Sequence, residues 1–211
     1  MTSTIGKLFR VKVLLVGEVI DGTYTFMTQY TAGVTDYDVY FDNGIIFTQI
    51  WSNFPALSST TGRRETSLDK GNQVTCEVAV WVLHPSLLES VPPTLAANRF
   101  HDAAVVSICF QADSSSSLMN ATDKWFPLVR FYFSTGPIVL VGRQSGTDTK
   151  DREAMNERIA AAGRKIGAAD WFIYSADEGN AVTAAGDTLV WYGYHYLRGR
   201  RKLRLDGCVV L

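Results

Sequence analysis

The chain has 211 residues, enough for one α/β domain with a substantial core. Its 46% apolar and 19% charged residues exclude an intrinsically disordered or low-complexity protein. The net charge of -1 hides an asymmetry, because residues 198–211 carry +4 and the remainder carries -5. A basic end on an acidic body points to contact with an anionic surface made by that end alone. Three cysteines, Cys76, Cys109 and Cys208, are too few and too scattered for a disulfide framework, and Cys76 and Cys109 are expected to be inert core residues. No segment reaches the about 20 apolar residues of a membrane span. With no apolar leader at the N-terminus, a cytosolic compartment is expected, and Asn120-Ala121-Thr122 reads as a chance sequon.

In chain order, Val13 to Val16 form a continuous apolar run, the signature of a strand covered on both faces. Gly17 and Gly22 follow at the glycine spacing of a phosphate-binding loop, GxxxxGK[ST]. Where that motif needs a lysine for the outer phosphates and a hydroxyl for magnesium, the chain has Thr23 and Tyr24. The glycines alone would serve a tight strand-to-helix turn, Glu18 and Asp21 would repel phosphate, and the Tyr24 ring is placed to plug the pocket. Phe26, Met27 and Tyr30 predict one apolar face of a helix over 23–31.

Residues 32–50 read as a loop leading into an edge strand from Ile45 to Ile50, and 52–71 as a mobile surface insertion without periodicity. Val74 to Leu83 predicts a second strong strand, and Pro85, Pro92 and Pro93 punctuate a loop with one short helix. The chain re-enters the core at Ala103 to Phe110. Ser114 to Ser117 supply helix caps, and Leu118, Trp125, Val129 and Tyr132 share a face of a helix that Pro127 should kink. Pro137 to Gly142 and Trp171 to Ala176 read as strands, with helices over 151–167, stopping at Gly167, and over 181–197. Strands alternating with helices imply a mostly parallel sheet with helices on both faces, and ligands on such folds bind beyond the carboxyl ends of the strands. The five tryptophans are expected to be core or interface aromatics, and His84, His101 and His195 to be loop or surface residues.

KVLLVG with its glycine loop, Phe41-Asp42-Asn43, DAAVVSICF at 102–110, KWFPLV at 124–129, PIVLVG at 137–142 and Tyr174-Ser175-Ala176 together resemble Ras-superfamily GTPases, most closely the Rho branch. The resemblance implies a three-layer P-loop GTPase-like α/β fold with a mostly parallel six-stranded sheet. It also implies GTP or GDP with magnesium as cofactors wherever the site still works. Its nucleotide chemistry, carried over position by position, is depleted. The threonine that closes on the metal aligns with Asp38 and Val39. The WDTAGQ segment aligns with Trp81 to Ser86, so its aspartate becomes Val82 and its glutamine Ser86. The guanine-reading TKxD aligns with Arg143 to Gly146, and the Ser175-Ala176 pair alone is intact. The degenerate nucleotide site is thus Gly17, Gly22, Thr23, Tyr24, Ser175 and Ala176, with no catalytic residue and no metal ligand.

Each lost charge-assisted contact is worth roughly 1.5–3 kcal/mol, so a weak or absent nucleotide site is expected. The same resemblance makes Phe41, Asp42 and Asn43 an effector-like surface and Cys208-Val209-Val210-Leu211 a C-a-a-X prenylation motif. Beside Cys208, Arg198, Arg200, Arg201, Lys202 and Arg204 would supply the second membrane signal that one lipid requires. The chain accordingly divides into a GTPase-like domain over 1–197 and a basic tail over 198–211. The expectation is a protein-binding module on the cytoplasmic face of a membrane, meeting effectors or regulators of Rho-type GTPases and no nucleic acid. Two alternatives stand beside it. One is an active GTP-hydrolysing switch of the actin and polarity kind, using Arg143 or Lys70 as a substitute cation; the other is a subunit that sequesters GTPase regulators.

Overall fold

A computed structural model describes residues 9–17, 20–31, 39–42, 45–55, 73–89, 92–145, 152–175 and 179–206. The opening strand, β1 (Phe9–Gly17), is buried except at Arg10 and Lys12. It lies between two parallel neighbours, β4 (Gln73–Leu83) and β5 (Ala103–Gln111), which is why its sequence is a run rather than an alternation. Two further parallel strands, β6 (Ile138–Gln144) and β7 (Asp170–Ser175), extend the sheet on the β5 side. On the β4 side the sheet turns antiparallel through β3 (Ile45–Pro55) and β2 (Val39–Asp42), giving the order β2-β3-β4-β1-β5-β6-β7.

The expected α/β architecture is present, with seven strands in place of six. The added strand is β2, so Ile45 to Ile50 is not at the edge. The pairing of β3 with β4 runs eleven residues, from Ile45↔Leu83 to Pro55↔Gln73, and draws Ser52 to Pro55 out of the expected insertion into the sheet. The rest of that segment, 56–71, lies outside the described residues.

Helices α1 (Ile20–Thr31) and α7 (Gly179–Asp206) cover one face. On α1 the buried residues are Thr23, Phe26, Met27, Tyr30 and Thr31, a stripe at helical spacing that meets Val11, Val13, Leu15 and the buried residues Val182, Ala185 and Leu189 of α7. The other face carries α2 (Ser86–Glu89), α3 (Pro93–Phe100), α4 (Ser115–Asn120), α5 (Phe126–Tyr132) and α6 (Arg152–Ile166) over Leu14, Val16, Ile108 and Leu140.

Ser114 caps α4, its hydroxyl accepting from the Ser117 N–H at 3.2 Å. Between α4 and α5 the chain widens into one π-helical turn, Ala121–Trp125, where the Phe126 N–H donates to the Ala121 carbonyl. Pro127 explains it. A proline in an ordinary helix drives its ring against the carbonyl four residues back, and the wider turn relieves that contact. Gly167 ends α6 as expected: at φ +70° it lets its own N–H reach the Arg164 carbonyl and the Ala168 N–H reach the Gly163 carbonyl, a Schellman closure.

At the amino end of β1, Lys12 reaches the last turn of α3. Its ammonium donates to the carbonyls of Arg99 and His101, both at 3.0 Å, and lies 3.9 Å from the Trp81 ring centroid. Burial pulls its pKa down to about 8, against the opposing charge of Asp102. Because the folded-state value lies below the unfolded one, the folded protein releases this proton first, and stability attributable to Lys12 rises as pH climbs from about 8 to 10.5. Denaturant melts across that window should show the parent gaining on Lys12→Met as pH rises; a constant difference would mean that Lys12 titrates as a solvated amine.

Candidate functional site

The carboxyl ends of β1, β5, β6 and β7 bring together Gly17, Gln111, Gln144, Ser145 and Ser175. Gly17 has φ +143°, a conformation side-chain-bearing residues rarely adopt, and a Cβ there would fall on the carbonyl oxygen of Cys109 in β5. Cys109 itself is fully buried; burial pushes its thiol up to about 12, so it stays protonated, and Cys76 is likewise buried and free. Gln111 Nε2 donates to Ser145 Oγ, tying the β5 end to the β6 end, while the Gln111 N–H donates to the buried Ser117 hydroxyl at 3.0 Å. Ser175 is buried at 4% exposure beside Gln144.

Helix α1 begins at Ile20, so Gly22 lies in its first turn rather than ahead of it, and the connection from β1 is only residues 18–19. The turn expected over 17–22 is therefore largely helix. Its first N–H groups carry the positive end of the helix dipole toward the carboxyl ends of the strands. Thr23, at the lysine position, is 2% exposed and starts the core-facing stripe, whereas Tyr24 is 37% exposed. About a third of Tyr24 is therefore open to solvent, and the pocket it was expected to plug lies largely outside the described residues. The reason for the exposure is helical phase: one residue after a core position, a side chain points about 100° away from it.

Val82, the position that the resemblance matches to the WDTAGQ aspartate, is buried among the residues under α1. Arg143, in register with Tyr174, has a buried Nε with no hydrogen-bond partner. It opposes the burial that pushes the Tyr174 phenol up. Sequence reasoning named Arg143 as a spare cation, but it missed the Gln111–Ser145 link, for which amide and hydroxyl side chains at strand ends are too common a signal.

Phe41 and Asp42 form the end of β2, paired with Ile46 and Ile45, so Asp42 is in a strand and not in the expected loop; Asn43 lies outside the described residues. Ala176 and Cys208 also lie outside them. Arg198 and Arg200 are exposed on α7, which runs past its expected end at residue 197 and carries the backbone of Arg201, Lys202 and Arg204 to Asp206. His84 is exposed, His101 is exposed with its Nδ1 2.9 Å from Asp102, and His195 is half-buried on α7 near the Trp191 ring. Among the described residues, no three His, Cys, Asp or Glu side chains are grouped to hold a metal ion, and no helix is long and apolar enough to cross a membrane. Trp125 is a core residue, and Trp81, Trp171 and Trp191 are half-buried; the Trp51 side chain lies outside the description.

A parallel sheet flanked by helices on both faces, with a glycine turn at the end of its central strand, is consistent with the P-loop GTPase fold. The chain is distantly homologous to Rho-type GTP-binding proteins. It is 26% identical over 163 residues to the GTP-binding protein RHO4 of Eremothecium gossypii, covering 76% of this chain and 55% of that one. It is 30% identical over 111 residues to a GTP-binding RHO-like protein of Candida albicans, covering 53% of this chain and 30% of the relative. A third match, 32% identical over 96 residues, is the GTP-binding protein RHO1 of Candida albicans, with 39% of this chain and 48% of the relative covered. The chain thus spans at most about half the length of these relatives. No family model matches it.

Proposed function

We propose that this chain is a Rho-like signalling protein that has kept the GTPase fold as a protein-binding module and has lost magnesium-dependent GTP binding and hydrolysis. The observation that carries the reading is Thr23: the position that should present a phosphate-binding lysine holds a short hydroxyl side chain turned into the apolar stripe of α1. Without that cation, and with Val82 in the metal-side position, hydrolysis lacks both of its charge-stabilising parts. The degenerate site of Gly17, Gly22, Thr23, Tyr24, Ser175 and Ala176 would then serve folding. Partners would dock on the side that carries Phe41, Asp42 and Asn43, in the manner of effectors or regulators of Rho-type GTPases. The basic residues from Arg198 to Arg204, with a lipid on Cys208, would hold the module on the cytoplasmic face of an anionic membrane.

Melting the purified chain with and without GTP and magnesium tests this. A ligand at 100 times its Kd stabilises a fold by about 2.7 kcal/mol. The module predicts no shift at millimolar nucleotide, and a magnesium-dependent shift of several degrees would overturn it. Arg143 favours a second reading, because its buried Nε at the carboxyl end of β6 has no hydrogen-bond partner and its guanidinium could receive a phosphate in place of the lysine. Under that reading a nucleotide-dependent shift appears and Arg143→Ala abolishes it.

A further inference from the structure

We propose that the amino end of the sheet is a membrane-contact face, on which Phe131 inserts into the lipid interface beside the arginines of α7. The inference deepens the reading above, and rests on its claim that the basic end of the chain meets an anionic bilayer. Helix α7 runs back along the sheet toward the strand amino ends. The Tyr192 hydroxyl donates to the Ala169 carbonyl at 3.2 Å at the start of β7, and Tyr194 lies 4.8 Å from Phe9 at the start of β1. From about residue 197 to Asp206 the helix therefore runs on past the starts of β1 and β7, by roughly 13 Å at 1.5 Å per residue. Arg198 and Arg200 are exposed on this projection.

The turn after α5 meets the same end. Tyr196 hydrogen-bonds Thr135 at 3.0 Å, packs 5.9 Å from the Phe133 ring, and lies under the Arg200 guanidinium at 5.5 Å. Phe131 precedes that turn by two residues and is 74% exposed, the most open of the large apolar side chains described. Its backbone is not loose. The Arg130 guanidinium donates from one nitrogen to the carbonyls of Phe133, Ser134 and Gly136 at 3.3, 3.2 and 2.9 Å, and Phe131 leans edge-on against Tyr132, which stacks on Phe100. An aromatic ring held out just before a braced turn, at the end of the sheet that also carries exposed guanidiniums, matches the chemistry of an anionic lipid interface, which takes an apolar ring below the headgroups and cations at their level. Isolated exposed apolar residues are ordinary. Met119, 57% exposed on α4 just after the carboxyl end of β5, is such a residue at the opposite end of the sheet and serves as the control.

The test is co-sedimentation of the unlipidated full chain with vesicles of phosphatidylcholine containing phosphatidylserine. Phe131→Ser should weaken partitioning about tenfold, and Phe131→Leu should recover most of it. Arg198→Gln and Arg200→Gln should each cost roughly fivefold on these vesicles and nothing on phosphatidylcholine alone. Met119→Ser should partition like the parent. If the parent binds and Phe131→Ser binds equally, or if Met119→Ser is weakened as much, the membrane role of Phe131 is overturned while the basic anchor stands. If the parent does not bind phosphatidylserine vesicles, both are overturned.

Discussion

Gly17→Ala should cost about 2–6 kcal/mol of folding stability and lower the melting midpoint by roughly 5–20 °C. Two independent effects add. The backbone at φ +143° carries strain for any side chain, and the new methyl would land on a β5 carbonyl oxygen that cannot rotate away. Both strands are central, so neither can yield without disturbing the pairing of Val16 with Ile108 and of Gly17 with Cys109. Against a usual total of about 5–15 kcal/mol, a loss of this size leaves a marginal protein. Thermal or urea denaturation followed by circular dichroism measures it. A variant that melts with the parent would show that β1 and β5 are not held this closely. The result also separates two roles for one residue, since a glycine needed only by a phosphate would be dispensable to the empty fold.

The second large effect is at Trp125. It is 1% exposed in the π-helical turn and packs in the layer that includes Phe100, Ile108 and Ile138. Trp125→Ala should destabilise by about 3–5 kcal/mol through lost burial and the cavity left behind. Its indole N–H is buried without a partner, a defect that costs about 1–3 kcal/mol by itself. Trp125→Phe removes that defect together with part of the ring, so its net cost should be a small fraction of the alanine cost. Equal losses for the two substitutions, read from urea midpoints, would mean that the indole nitrogen is hydrogen-bonded after all.

What could be read from the chain, and what could not, follows from how each element declares itself. The run from Val13 to Val16, the Phe26-Met27-Tyr30 spacing and the glycine stop at 167 are local signals with one physical meaning, and each was recoverable. Strand β2 was not, because four residues are too short for an alternation to show and its partner β3 supplies most of what holds it. The end of α7 lies past residue 197 because a cluster of arginines does not stop a helix. Arginine and lysine are good helix formers, and cations are favourable near a helix C-terminus. At the candidate site, Thr23 and Val82 are apolar-layer positions that their sequence neighbours, a helical stripe and a strand run, make legible. The early start of α1 at Ile20 and the exposed Tyr24 depend on helical phase, which no motif spacing encodes.

The alternation along β1 has a consequence for how the molecule breathes. Val11, Val13 and Leu15 belong to the layer under α1 and α7, while Leu14 and Val16 belong to the opposite one. One strand is thus the shared wall of two rooms, and its amides can exchange with solvent only when both ceilings lift. Opening confined to one side would leave β1 covered on the other, so any partner that loosens or tightens this strand is felt on both faces of the sheet.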